Sequence, residues 1–380
     1  MRVLLINEMM YKKGTSYKIR LDTANALSAR HMVYMISPPF KQKFRSEIII
    51  HSDSFTEYVS PGILASGFRR GGFSFLDLLF KLYIIIKTKP DVIYSTTGHR
   101  PAQLFPSIFA KKIFKTRLID ERWEYYGLGG RSDERRGVLG RFINWYDLCY
   151  EISAVKKFDT CITVTERLKR KLDSRNTIFS PGVIDTKHYR RSTREISRKT
   201  MGLSEDWLII GALSLGKLDH EDYMPFLKCF GELITINPNI HLFCTGERDY
   251  IKSELLSIYP ENVIFKGWLP EAELNSFLSS CDMFVLPLNT TERNLCRWPI
   301  KFNDYIYFRK PVLINPEHEI ATLSAKNPLI VVANNNSEDL RREIFKLIQN
   351  PKPPSDQITD TDFISFDRKI ALLNQLFKVL

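Results

Sequence analysis

Residues 262–288 read NVIFKGWLPEAELNSFLSSCDMFVLPL. Two short apolar runs, NVIFKGW and DMFVLPL, flank the helical stretch EAELNSFLSSC. Uninterrupted apolar runs of this length suit strands buried on both faces, and parallel strands need a crossover that is usually a helix. The stretch therefore predicts a βαβ unit. The same alternation extends in both directions. WLIIGALS precedes PFLKCFGELITIN, IHLFCTGE precedes DYIKSELLSIY, and NPLIVVA precedes SEDLRREIFKLIQ.

The first half follows the same grammar: RVLLIN, SYKIRLDTANALSAR, HMVYMIS, then DVIYSTT, RPAQLFPSIFAKKIF and TRLIDERW, then FDTCITVT, ERLKRKL and NTIFSPGVI. Such alternation predicts an α/β chain of two tandem, doubly wound Rossmann-like domains. Their bounds are expected at 1–189 and 200–360, with the basic, poorly periodic stretch 190–199 as a linker. PKPP at 351–354 breaks the chain before a last helix in 361–380, expected to pack back toward the N-terminal domain. Ligands of open α/β sheets bind at the carboxyl ends of the strands, so the two domains are expected to face a central cleft. Neither half contains GxGxxG or GxxxxGK[ST], which disfavours classical dinucleotide and P-loop sites.

The totals fit this reading. The chain has 380 residues, 44% hydrophobic and 26% charged, as expected of a soluble globular protein. The opening MRVLLINEMM reads as a first strand and not as a signal peptide. Six cysteines stand singly, with no CxxC, which argues against zinc and fits a reducing cytoplasm. Net charge is +12, distributed as +14 over 1–180, +4 over 181–199 and −6 over 200–380. A basic first half points to an anionic partner. Nucleic acid would explain the charge but not the sequence motifs; an anionic membrane surface, with the protein peripheral at its cytoplasmic inner face, and a mere solubility device are the other readings. The stripe of FLDLLFKLYIIIK reads as core, and the basic-aromatic stretches KQKFR and GFRRGGF read as the membrane contacts.

A second stretch bears on function. In NLCRWPIKFNDYIYFRKPVLI, Asn294–Ile314, the spacing of Arg297, Lys301 and Asp304 predicts one stripe of a helix that leads into a buried strand. Two cations and a carboxylate there are either a solvated ion-pair ladder or a grip on a phosphorylated ligand.

Taken with NVIFKGWLPEAELNSFLSSCDMFVLPL, this segment resembles the donor-binding domain of retaining GT-B glycosyltransferases of the GT4 group. FDTCITVTERLKRKL and IFSPGVIDTKHY resemble the end of that family's first domain and its crossing into the second. The resemblance implies a GT-B fold and a hexosyl-transferring enzyme that moves a sugar from a nucleotide-diphosphate sugar to a glycan or lipid-linked acceptor, with no cofactor and no metal. It places Asp304 on the ribose and Arg297 and Lys301 on the pyrophosphate, with Asn294 beside them. It puts Cys296 where most members carry a first glutamate, a departure that puts the donor-sugar contact in question. Lys217 falls in the loop where the family carries cations for the pyrophosphate, and Gly14 and Thr15 in the loop that nears the donor phosphates. Gly246 ends a strand at the cleft edge, and Trp268 lies near the base. Glu121 and His99 are the catalytic candidates beside the transferred sugar. Each has a plainer reading: a loop lysine, an ordinary turn, a packing aromatic, an ion-pair network around Asp120–Glu124, a structural histidine. Two other functions remain open, a catalytically silent GT-B scaffold and an epimerase or phosphorylase on the same fold.

Overall fold

The computed structural model describes the chain except residues 9–10, 12–13, 64–71, 132–136, 173–174, 185–186, 188, 216–220, 248–249, 351–361 and 379–380. Lys217, and the basic pair Arg69 and Arg70 of GFRRGGF, lie outside the described residues, as does the side chain of Thr15. The chain forms two compact units. The first takes Met1–Pro181, Cys296–Trp298 and Phe366–Leu380, and the second Gly182–Leu295 and Pro299–Ser365.

The first unit is built on eight strands: β1 (Arg2–Ile6), β2 (Met32–Ser37), β3 (Glu47–Ser52), β4 (Phe55–Val59), β5 (Val92–Thr96), β6 (Arg117–Arg122), β7 (Thr160–Thr163) and β8 (Thr177–Phe179). Their order is β3-β4-β2-β1-β5-β6-β7-β8. All neighbours pair in parallel except β3, which returns antiparallel on β4 with a register shift between Ile50 and Ser52. The central strands are apolar on both faces because helices cover both. On one face Tyr17, Ala24 and Leu27 of helix Gly14–Ser28 pack with Leu373 and Phe377 of helix Phe366–Lys378 against Val3, Leu5 and Val33. On the other, helices Phe75–Thr88, Pro101–Phe114 and Gly137–Val155 cover Leu4, Ile6 and Ile93. The first of these departs from expectation. Ile84 and Ile85 enter the core, but Leu76, Leu79, Tyr83 and Ile86 are exposed.

The second unit carries β9 (Leu208–Ala212), β10 (Ile240–Thr245), β11 (Val263–Lys266), β12 (Met283–Leu286), β13 (Val312–Ile314) and β14 (Ile330–Val332). The order β11-β10-β9-β12-β13-β14 is parallel throughout and reverses direction between β9 and β12. Helix Met224–Ile236 buries Phe226, Phe230 and Leu233 on one face of this sheet, beside Leu340 and Ile344 of helix Ser337–Gln349.

The expected linker is largely a helix, Arg194–Met201. Thr193 caps it by accepting from the amide of Ile196, and Gly202 ends it at φ +70°. Its Arg198 is fully buried. The guanidinium donates to the carbonyls of Ser204, Glu205, Trp207 and Ser280 and to Asp282 Oδ2, at 2.7–3.1 Å. Arg198 therefore serves packing, which charge pattern alone did not show.

Candidate active site

The reversal of strand order between β9 and β12 is the topological switch point at which open α/β sheets bind ligands. Helix Ile300–Tyr307 is seated over it. Tyr305 stacks on Phe284 of β12 with ring centroids 4.0 Å apart, and its hydroxyl accepts from the amide of Leu213, just past β9. With Tyr305 fixed, Lys301 and Asp304 are fixed too. Lys301 Nζ lies 2.5 Å from Oε1 of Glu221. Glu221 is itself placed at the switch point by a bridge to Leu288 and by the amide of Asp222, which donates to Pro287 O.

Asp304 is buried, and its Oδ1 accepts from the hydroxyl of Tyr189 at 2.7 Å. Burial pushes its pKa up to about 7, against the opposing pull of the Tyr189 hydroxyl and the Lys301 charge. A carboxyl near half-ionisation at neutral pH is incompletely compensated, which is common at functional sites.

Around these groups the loops draw close. Gly246, after β10, has φ +106°, and a Cβ there would lie 2.9 Å from Cα of Ser214, so only glycine fits. Its amide donates to Gly267 O. Trp268, next in the chain, is 61% exposed. Asn294 is buried, and its amide nitrogen donates to Asn289 O and Oδ1. Asn294 thus closes the loop after β12. Cys296 is also buried, and its carbonyl accepts from Thr165 Oγ1 at 3.0 Å.

One expectation about the segment is corrected. Arg297, Lys301 and Asp304 do not share a helical stripe, because the helix starts at Ile300 with Pro299 as its N-cap. Arg297 lies in the short segment belonging to the first unit, where its Nη2 meets Glu124 Oε1 at 3.1 Å. The sequence reading also missed Glu221 and Tyr189. Neither has a local pattern to mark it, since their partners are 80 and 115 residues away.

The two catalytic candidates sit in the first unit. Glu121 is buried, and its carboxylate accepts from Arg20, Tyr94 and Lys369, the last at 2.5 Å. Burial alone would raise its pKa, but Arg20 and Lys369 outweigh that and hold it well below the usual carboxylate range. His99 is fully buried between Asp147, 2.9 Å from Nε2, and Arg122, 2.6 Å from Nδ1. Arg122 can only donate, so Nδ1 accepts and Nε2–H donates to Asp147. Burial and the Arg122 charge lower the His99 pKa to about 3. Both nitrogens are engaged and the ring is neutral at pH 7. The geometry gives Glu121 and His99 structural parts, holding strands β5 and β6 to the helices around them.

Among the described residues, no group of three or more His, Cys, Asp or Glu side chains is disposed to hold a metal ion. No helix among them is long and apolar enough to cross a membrane.

Residues 208–350 match the family described as Glycosyl transferases group 1. That span holds all six strands of the second unit and the helix bearing Lys301 and Asp304. Solved structures resemble the whole chain. A sucrose-phosphate synthase from Thermosynechococcus elongatus superposes with a TM-score of 0.72 at 13% identity, covering 99% of this chain and 98% of that one. HepE of Anabaena, solved with UDP, gives 0.67 at 12%, covering 100% of both chains. WaaG, a glycosyltransferase involved in lipopolysaccharide biosynthesis, gives 0.65 at 13%, covering 99% of both. No curated protein matches the sequence. The fold is GT-B, and within the second unit residues 208–350 are similar to the group 1 glycosyl transferase family.

Proposed function

We propose that this enzyme transfers a sugar from a nucleotide-diphosphate sugar to a glycan or lipid-linked acceptor, with retention of anomeric configuration and without a metal. The observation that carries the reading is a buried, incompletely compensated Asp304 standing one turn from Lys301 at the switch point of the family-matched sheet. HepE, solved with UDP, supports a nucleoside diphosphate as the ligand class.

In this reading Asp304 accepts the ribose hydroxyls, and Lys301 and Arg297 meet the pyrophosphate. Displacing the diphosphate from the anomeric carbon builds negative charge on the leaving oxygen, which cations stabilise without a metal. Arginine suits a two-point phosphate contact and lysine a mobile point charge. Their present carboxylate partners, Glu124 and Glu221, hold them in place until the more highly charged pyrophosphate arrives. Lys217, and Gly14 and Thr15 at the start of helix Gly14–Ser28, supply further phosphate contacts, Gly246 lets the loop after β9 come close, and Trp268 lies beside the base. The basic first unit meets an anionic membrane at its cytoplasmic face, where a lipid-linked acceptor is anchored.

Calorimetry with UDP, GDP and ADP tests the donor site. One nucleotide is expected to bind, and Asp304→Ala to weaken it by about 1–3 kcal/mol, the cost of unpaired ribose hydroxyls. No binding of any of the three, or unchanged affinity in Asp304→Ala, removes the assignment.

A further inference from the structure

Two helices of the first unit are built inside out. In Phe75–Thr88 the ion pair of Lys81 and Asp77, 2.6 Å apart, is buried, while Leu76, Leu79, Tyr83 and Ile86 face solvent. Spacings of three and four put these four on one stripe. In Gly137–Val155, Asp147 and Glu151 are buried, whereas Val138, Phe142, Trp145 and Ile152 are exposed, Val138 by 87% and Trp145 by 54%. Their spacing again marks one stripe. A surface helix in water carries the reverse arrangement, with charge outside and the apolar stripe against the core.

The inversion has a local cause. Asp147 and Glu151 turn inward to meet His99, Arg100 and Arg122. That explains the buried charge but not the apolar exterior, because nothing inside forces Phe142 or Trp145 outward in place of a lysine.

Both helices cover the same face of the sheet. Ile84, Ile85 and Ala154 enter one cluster with Leu4, Ile93 and Leu118, and Leu104 brings Pro101–Phe114 into it as well. Phe105 and Ile113 of that third helix are exposed too. Phe73, just before the first helix, has its ring 5.9 Å from that of Phe142. Apolar side chains in adjoining rows, unlike scattered ones, mark an interaction surface.

Charge selects the occupant. Among the described residues the exposed charges on these helices and their caps are Lys87, Lys89, Lys112, Lys115, Arg141 and Lys156, all basic, since Asp77, Asp147 and Glu151 are inside. A second copy of the chain would set these cations against their own kind. An anionic lipid leaflet complements them, and Trp and Tyr favour the headgroup region where their rings are half apolar and half wet. We infer that this helical face seats the enzyme on an anionic membrane, with Tyr83, Phe142 and Trp145 entering the headgroup layer and Arg141 and Lys112 meeting lipid phosphates. The inference rests on the proposed membrane-bound acceptor and replaces the loop KQKFR as the main contact.

Sedimentation with vesicles of phosphatidylglycerol and phosphatidylcholine, against phosphatidylcholine alone, tests it. The wild-type protein is expected to sediment with the anionic vesicles. Phe142→Ser/Trp145→Ser and, separately, Leu79→Ser/Tyr83→Ser should each lower the partition coefficient at least tenfold, with unchanged melting temperature and nucleotide affinity. Trp145 emission should shift to the blue on binding, a change absent in Trp145→Phe. Partitioning of both double variants within twofold of wild type overturns the assignment of this face while leaving membrane binding intact. Failure of the wild-type protein to bind overturns both. A self-association that the Phe142/Trp145 variant abolishes, without lipid binding, assigns the face to a second copy instead. Nucleotide binding is read separately, so the donor-site reading stands or falls on its own.

Discussion

Glu121 on the first sheet and Asp304 beside the second are carboxylates buried in opposite ways. At the first, Glu121 meets Arg20, Tyr94 and Lys369, and Asp147 meets His99 and Arg100. Glu121 and Asp147 each have a protein cation at hand, and Glu121 stays ionised far below neutral pH, although burial lifts Glu151 nearby to about 7. At the second, Asp304 has a tyrosine hydroxyl at 2.7 Å, while Lys301 spends its ammonium on Glu221. Desolvation wins there and lifts the Asp304 pKa to about 7. The contrast separates two uses of buried charge. A fully matched cluster fixes the fold, and an undermatched one is suited to a ligand that brings its own partners.

The largest effect that would break the comparison lies at Glu121. Glu121→Ala leaves Arg20 and Lys369 buried without a counter-charge, and should cost about 3–5 kcal/mol of stability by denaturant titration. Nucleotide affinity of the folded fraction should be unchanged. A stable Glu121→Ala variant that has lost activity would return this residue to the catalytic centre.

Next comes Asp304. Its folded pKa lies above the ordinary aspartate value, so between about pH 4 and 7 the native state holds a proton that the unfolded chain has released. This group therefore favours the fold at low pH, and its contribution falls as pH rises through about 7. Asp304→Asn should accordingly stabilise the protein at pH 8 by about 2–4 kcal/mol, and much less at pH 5. Equal effects at both pH values would show an ordinary, well-compensated carboxylate. Affinity for the nucleotide should move the other way, rising as Asp304 ionises between pH 6 and 8.

Smaller again is the effect of Lys301→Ala. It should weaken the nucleoside diphosphate by about 1–2 kcal/mol and leave the nucleoside nearly unaffected, because a charged hydrogen bond to phosphate is removed. Equal losses for both ligands would mean that Lys301 only braces Glu221. The smallest expected change is none: EDTA should leave transfer activity intact, and loss of activity restored by a divalent ion would overturn the metal-free reading.

The sequence displayed the parallel architecture clearly, because strands such as Val92–Thr96 and Met283–Leu286 are apolar on both faces and need helices between them. It hid what depends on distant partners. Glu121 and Lys369 are 248 residues apart, so no local pattern distinguishes a matched carboxylate from a catalytic one. The basic run at 190–199 looked like solvated linker because the carbonyls that Arg198 collects are backbone atoms, invisible in side-chain pattern. Pro299 caps the helix that starts at Ile300, so Arg297 falls before the stripe that its spacing predicted. β3 and β4 were both missed: Glu47–Ser52 is an exposed antiparallel edge strand outside the βαβ alternation, and Phe55–Val59 interrupts its apolar run with Thr56 and Glu57.

The helix Phe366–Lys378 fills the core of the first unit with Leu373 and Phe377 and neutralises Glu121 with Lys369, yet it follows the whole of the second unit in chain order. On the ribosome, residues 1–181 therefore emerge without their last packing element and must wait for the intervening residues. At about 5–20 residues per second the delay is some ten seconds or more. During it, Arg20 and Glu121 lack Lys369, and the apolar site meant for Phe377 stands open. The second unit can close before the first is finished, so a nascent chain interrupted before Phe366 would leave the N-terminal half as the natural target of chaperones and proteases.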